Sequence, residues 1–402
     1  MNSYIGASGT FEVMRNLNLE KIYRLILLNQ PISRTQLAQL SGSNKVTVSN
    51  CVGFLLDKGI VHEVGVVGKE KAKGRPAALI SINGDSVVLI GIEMNVPFTR
   101  VIVTSLSGEM LENIILSDIE TDPQKFTQRV AATIIKLKEM YKDRKLGVIG
   151  VGFAFPGYDQ QTGVIKQMPK WQTWDQFPIL KEMQKHHLDV PLFFQSTVQA
   201  ATMGEIHFGK ADPFEQLVYI SGTWGISASL YSNGALVSGH HGFAGRIGHF
   251  IIQVDGKQCI CGSKGCLEEY ASIRALFNKL YPGKPQHHKY IEEILERVRG
   301  KDPLVMTALH ETVQYLAIGV VNVINAFNPS CICIGGYLGS IIDASLLKEI
   351  KTIVMQRLPS YYWETLDIYC SNLHELGVTY GCIAVVRDQL LSILAADPAN
   401  LK

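Results

Sequence analysis

The chain has no stretch that approaches the roughly 20 consecutive apolar residues of a membrane span. Its opening residues, MNSYIGASGTFEV, lack the apolar core of a secretion signal. These two absences predict a cytoplasmic protein with no membrane partner. They also make its eight cysteines reduced thiols and not a disulfide framework. Internal repeats and low-complexity segments are missing as well, so nothing points to a stacked or disordered architecture. Charged residues reach 18% against 47% hydrophobic ones, the balance of a globular chain with a well-buried interior. At 402 residues that interior is too large for one ordinary core, and two or three domains are expected.

A large net charge is absent too, but the overall +2 is unevenly spread. Residues 1–83 carry ten Lys/Arg against five Asp/Glu, a net of +5, and the remaining 28 against 31 give −3. A basic head on a mildly acidic body points to a nucleic-acid-binding module joined to something else. In the head, Leu17, Ile22, Leu25, Ile26 and Leu28 recur at helical spacing and predict a first helix that stops near Asn29-Gln30-Pro31. Ser33 suits the N-cap of a second helix containing Leu37, Ala38 and Leu40, and Gly42 supplies a turn. Ser43 or Asn44 can cap a third helix whose Val48, Val52 and Leu55 form an apolar face.

The other face of that third helix offers Lys45, Thr47, Ser49 and Asn50, polar side chains suited to base edges and phosphates. With Arg34 and Asn44 they are the expected DNA contacts of a helix-turn-helix. The strand-like Ile60 to Val64 then leads through GKEKAKGRP to an apolar return strand, Ala77 to Ile82. Two strands around a basic tip make a wing, with Lys69, Lys71, Lys73 and Arg75 placed for phosphates or a minor groove. One recognition helix reads few base pairs, so a homodimer or homotetramer on double-stranded DNA is expected. The blander readings are a small helical bundle with a solvated third helix and a solvated basic loop.

The densest chemistry lies between Gly248 and Glu268, GHFIIQVDGKQCICGSKGCLE. His249 stands nine residues ahead of a tight cluster of Cys259, Cys261 and Cys266, and Gly262 and Gly265 let the backbone turn between the last two thiols. One imidazole and three thiolates satisfy the tetrahedral preference of Zn²⁺ and leave no open position, so one structural zinc per chain is expected. Three loop cysteines without a metal are the alternative. Glu268, two residues past the last ligand, is then fixed in space and available to bind something.

G-H, nine residues, then C-x-C-G-x-x-G-C-x-E resembles the signature of the ROK family, which groups repressors, open reading frames and sugar kinases. The resemblance implies an α/β body, two-lobed and actin-like or hexokinase-like, preceded by an α+β winged helix-turn-helix domain. Gly74-Arg75-Pro76 matches the segment that precedes the body in ROK repressors of the xylose and N-acetylglucosamine types. The expected units are residues 1–83, residues 84–204 with the C-terminal helix at about 383–402, and residues 205–382 with the zinc site. Strand-like runs at Val87–Glu93, Arg100–Ser105, Val148–Phe153, Leu217–Ser221 and Ser330–Ile334, with helical patterns from Pro123 to Lys142 and Ala308 to Ala326, agree with alternating α/β order.

Measured against the family's kinases, three features are missing. The first phosphate loop, D-x-G-G-T, is here Glu93-Met94-Asn95-Val96-Pro97, with no glycine and a proline that has no N–H to donate. The second, G-T-G-I-G-x-G, reads Gly222-Thr223-Trp224-Gly225-Ile226-Ser227-Ala228-Ser229. In the E-N-D-x-x-A segment, here Gln195-Ser196-Thr197-Val198-Gln199-Ala200, Thr197 stands where the catalytic aspartate would be, and a hydroxyl cannot take a proton as a carboxylate can. No catalytic residue is therefore expected. The resemblance implies a DNA-binding transcriptional regulator of carbohydrate-related genes, a repressor with a catalytically dead kinase-like body. A sugar kinase with an appended DNA-binding domain, and a ligand-independent DNA-binding protein controlled by a protein partner, are the alternatives.

Ser196, Thr197, Arg246, His249 and Glu268 are the expected lining of a pocket for a sugar or sugar-phosphate effector. The family's A-G-E-I-G-H motif is here Ala244-Gly245-Arg246-Ile247-Gly248-His249, which puts a donor-only guanidinium where an acceptor is usual. Arg246 is expected either to pair with an internal acid, Glu268 being nearest by sequence, or to await an anion. Trp171 and Trp174 could stack on a sugar ring, although a place in the core is the commoner fate of tryptophan.

Overall fold

The computed structural model describes residues 7–67, 77–94, 98–116, 121–166, 172–211, 216–240, 242–284 and 288–396. In the head, helix α1 (Ala7–Asn29) stops just before the Gln30-Pro31 pair. Its buried face is Leu19, Ile22, Tyr23 and Ile26, whereas Leu17 and Leu28 are exposed and Leu25 is half-buried. The apolar stripe is thus rotated from the expected one, because α1 packs on the body as well as on its own domain.

Strand β1 (Ile32–Ser33) leads into α2 (Arg34–Ser41) through a capping box: the Ser33 hydroxyl accepts from Gln36 N–H at 3.3 Å and the Gln36 side chain accepts from Ser33 N–H at 3.0 Å. Gly42, at φ 65°, ends that helix. Asn44 caps α3 (Lys45–Asp57), its Oδ1 accepting from Thr47 N–H at 2.8 Å. Strands β2 (Val61–Val67) and β3 (Ala77–Ile82) pair antiparallel, and β1 completes a small sheet in the order β1-β3-β2. The expected wing tip with Lys69, Lys71, Lys73 and Arg75 falls outside the described residues.

The body opens with β4 (Val88–Met94), β5 (Thr99–Ser105) and β6 (Met110–Leu116), an antiparallel triplet whose first two strands are buried throughout. Helix α4 (Pro123–Met140) starts with proline at its first position, where no N–H is needed, under an Asp122 cap. Strand β7 (Val148–Phe155) runs parallel to β4. A short hairpin, β8 (Tyr158–Asp159) and β9 (Val164–Ile165), helix α5 (Ile179–Gln184), strand β10 (Leu192–Ser196) and helix α6 (Thr197–Phe208) complete this half.

The second half repeats the plan. Strands β11 (Leu217–Gly222), β12 (Ile226–Ser232) and β13 (Ala235–Leu236) form an antiparallel triplet. Helices α7 (Glu268–Ala271), α8 (Ile273–Leu280), α9 (His288–Arg299) and α10 (Pro303–Phe327) precede β14 (Cys331–Gly335), then α11 (Gly336–Ile341), α12 (Ala344–Arg357) and β15 (Asp367–Cys370). Helices α13 (Gly377–Asp388) and α14 (Leu390–Ala396) follow, α13 returning to pack on β4 and β7.

The sheets order as β10-β7-β4-β5-β6 and β13-β12-β11-β14-β15. In each, a hairpin triplet lies on one side of its first strand and two parallel strands on the other. This is the expected two-lobed α/β body, built from two copies of one topology. Helix α10 has the length and hydropathy, 1.4, of a membrane-spanning helix, yet it buries Leu309, Val313, Leu316, Val320 and Ile324 in the core of the second lobe. Trp174 is fully buried, edge-on to Phe126 with ring centroids 5.1 Å apart, so it belongs to the core of the first lobe; Trp171 is outside the described residues.

Candidate ligand cleft and metal cluster

The stretch from Gly248 to Glu268 folds back on itself through short backbone contacts. Cys259 N–H donates to Ser263 O at 2.8 Å, Gly265 N–H to Lys257 O at 2.8 Å, and Leu267 N–H to Phe250 O at 2.9 Å. Gly265 is at φ +72°, and a Cβ there would meet Gln253 O at 1.7 Å, so no other residue fits. The turn brings His249 Nδ1 to 3.8 Å from Cys259 Sγ and Cys261 Sγ to 3.7 Å from Cys266 Sγ. All four donor atoms lie within 4.8 Å of one another.

Ligands at about 2.0–2.3 Å around a tetrahedral ion sit roughly 3.5–3.8 Å apart, so the four residues brought together fit a metal ion of that geometry. Burial pushes the Cys259 thiol up to about 12 and also raises Cys266, while the Ser263 N–H lowers Cys261. A cation held there would take the place of the thiol protons. Because His249 turns Nδ1 to this cluster and also lines the neighbouring cleft, one ring joins the two.

The cleft has a volume of 330 Å³. Ser196, Thr197, Arg246, His249 and Glu268 all line it, so the five residues expected there are brought together. Ser196 comes from the end of β10, where its Oγ lies 3.0 Å from Gln199 Oε1, and Thr197 is the first residue of α6. Arg246 is exposed at the mouth. Its charge, with that of Arg274, adds to burial in lowering the His249 pKa, against the opposing effect of Glu268.

Arg274 and a backbone N–H hold the acid. Glu268 Oε1 is 2.7 Å from Arg274 Nη2, and its Oε2 accepts from Ile226 N–H at 3.1 Å. Arg274 also holds Glu269, at 2.6 Å. It reaches the carboxylate because α7 and α8 return it within six residues. Sequence reading missed Arg274, for which no motif gives a signal. It also missed the part of Trp224, which forms cleft wall and packs edge-on to Phe277 at 5.7 Å.

Across the cleft, next to Gly336, Glu93, Tyr219 and Tyr337 converge around a cavity of only 10 Å³. In the head, Lys45, Ser49 and Asn50 are exposed on α3, with Thr47 half-buried beside them. Arg34 reaches back to Glu63 of β2 at 3.1 Å, and Asn44 spends its side-chain oxygen on the cap. Lys71, Lys73 and Arg75 lie outside the described residues.

A head with a helix-turn-helix and a three-stranded sheet, set on a two-lobed α/β body with a Cys₃His loop beside its cleft, defines a narrow class. The chain belongs to the ROK family, whose profile matches residues 89–389. It is 29% identical to the xylose repressor of Caldicellulosiruptor bescii, over 96% of this chain and 98% of that protein. It is 30% identical to the xylose repressor of Bacillus spizizenii, over 95% of this chain and 97% of that one. A solved structure of a ROK family transcriptional regulator, a homologue of the E. coli MLC protein, superposes with a TM-score of 0.76 at 25% identity, covering 94% of this chain and 98% of that one.

Proposed function

We propose that this chain is a sugar-responsive, DNA-binding repressor of carbohydrate-related genes, acting in the cytoplasm as a homodimer or homotetramer. One observation carries the reading: the likeness to repressors runs through the head as well as the body, 96% of this chain and 98% of the relative. The head presents Lys45, Ser49 and Asn50 outward on α3 while Val48, Val52 and Leu55 are fully buried, the division a recognition helix needs. Lys71, Lys73 and Arg75 would add phosphate contacts from the wing. Residues 1–83, 84–204 with the C-terminal helix at about 383–402, and 205–382 are the working units of this reading.

The body binds the effector and does no chemistry. Thr197 offers no base, and the segment Glu93-Met94-Asn95-Val96-Pro97 has no glycine to meet a nucleotide phosphate. His249, Cys259, Cys261 and Cys266 hold one Zn²⁺ as a structural ion, which leaves Ser196, Thr197, Arg246, the other edge of His249 and Glu268 to face a sugar or sugar phosphate.

Binding of the full chain to duplexes selected from a random pool, followed with and without D-xylose, tests the proposal. Lys45→Ala or Asn50→Ala should weaken duplex binding by about tenfold, given roughly 1–3 kcal/mol per base contact. Affinity should fall steeply with salt. A chain that selects no duplex, or that phosphorylates sugars from ATP, sinks the reading.

A further inference from the structure

Away from the cleft lies a buried polar cluster that the reading above does not use. Tyr23 of α1 is 3% exposed, and its hydroxyl has no hydrogen-bond partner among the described residues. Arg387, near the end of α13, is 5% exposed. Its Nη2 donates to His207 Nδ1 at 3.1 Å and to His207 O at 3.4 Å, and its guanidinium lies 4.2 Å over the Phe208 ring. Its Nε has no partner among the described residues. On the far edge of the imidazole, His207 Nε2 is 3.1 Å from Asp388 Oδ2. A ring nitrogen that accepts from a guanidinium carries a lone pair, so Nε2 bears the hydrogen and donates to the carboxylate.

Tyr23 packs in the same interior cluster as Val386 and Leu390, which flank Arg387 and Asp388, and burial raises its hydroxyl and lowers Arg387. Arg24 of α1 and Asp388 both act on Tyr231 of β12. Helix α1 packs against α14, and α6 packs against both α13 and β12, so head, first lobe and second lobe meet around this cluster.

The two body helices that supply it also reach the cleft. Thr197 and Val198 open α6, Val378 stands at the start of α13, and all three line the cavity. The first turn of α6 is gripped from both sides: Gln199 Oε1 accepts from Gln160 at 3.2 Å, and Gln199 Nε2 reaches Ser238 Oγ at 3.5 Å. From there α6 runs roughly 17 Å, at 1.5 Å per residue, to His207 and Phe208. The helices touch backbone to backbone, since a Cβ on Gly204 would lie 2.2 Å from Gly377 O and one on Gly381 1.6 Å from Ala200 O. No soft side-chain layer separates them, so a shift of one is passed to the other.

We propose that α6 and α13 couple the cleft to the head, and that Tyr23, His207, Arg387 and Asp388 form the joint at which ligand binding is passed to α1. The inference rests on the reading of the chain as an effector-controlled DNA-binding protein. Closure of the cleft on a sugar pulls on Gln199 and Thr197, tilts α6 and re-pairs the joint. Tyr23 Oη and Arg387 Nε are the groups that a second arrangement can satisfy, which is what a two-state element requires.

The test uses the full chain, D-xylose as the cleft probe and a duplex selected by the wild type from a random pool. Three quantities are measured: xylose affinity, duplex affinity, and the ratio of duplex affinities without and with saturating xylose. For the wild type that ratio should fall within about 5–150-fold, the usual span of allosteric coupling. In Asp388→Asn and Tyr23→Phe it should drop at least about fivefold while each separate affinity stays within about twofold, because coupling and binding are distinct free energies. Tyr23→Phe keeps the ring in place, so it decides the matter if Asp388→Asn folds poorly. A wild-type ratio kept in both variants overturns the inference and leaves the functional reading standing. A wild type that binds duplex and xylose with a ratio of one overturns the inference, and a wild type that binds neither overturns the reading with it.

Discussion

On the second-lobe wall of the cleft, His249 is tied to the cysteine cluster, and Glu268 to Arg274 and Ile226 N–H. On the first-lobe wall, Glu93 lies near the end of β4 and Thr197 starts α6, where the reading proposed above places no base for phosphoryl transfer. The two walls of one cleft thus differ in how firmly their side chains are held.

The contrast breaks most readily at the metal cluster. Cys259→Ser or Cys266→Ser should take the zinc content from one ion per chain to none and destabilise the body by on the order of 5 kcal/mol, since metal binding free energy is folding free energy. Elemental analysis with thermal melting checks this, and unchanged melting would mean that the loop holds itself. Arg274→Ala should come next, costing about 3 kcal/mol in urea unfolding, because it leaves two largely buried carboxylates, Glu268 and Glu269, side by side without a counter-charge.

A smaller effect belongs to the first-lobe wall. Burial alone would raise Asp159, but hydrogen bonds from Lys166, Thr162 and the Gln161 N–H outweigh it and bring its pKa down to about 2. A carboxyl lowered on folding stabilises above its unfolded value, about 3.9, and that contribution is lost as pH falls towards 2. Acid titration of stability should therefore be shallower for Asp159→Asn between about pH 4 and pH 2. The smallest effect expected is none: Thr197→Asp restores a base without a phosphate loop and should yield no ATP-dependent phosphorylation of xylose or glucose. Activity in that variant would show that a single residue had separated the two walls.

Legibility in the sequence followed how local each feature is. The cysteine cluster could be read because its four ligands fall within 18 residues of chain. The Ser33 N-cap and the buried face of α3 are equally local, and both stand as expected. The face of α1 was misplaced because periodicity weighs Leu17 and Leu28 as heavily as Leu19, and only packing against α14 and α13 selects among them. Arg274 was invisible since α7 breaks at Ser272 before α8 returns the guanidinium to Glu268, a path that no spacing rule describes. The joint of Tyr23, His207 and Arg387 draws on three distant parts of the chain, and nothing local marks any of them.

The head and the first lobe share one continuous interior: Ile22, Ile26, Leu37 and Val52 pack in the same cluster as Leu89, Ile102, Val386, Leu390 and Leu394. Recombination by cut and paste is therefore costly at this junction. A head spliced onto a foreign body would carry an uncovered oily flank, and a body stripped of its head would expose the matching one. Chimeras that exchange reading heads between such proteins should stay soluble only when the closing helix α14 travels with the head it was shaped against.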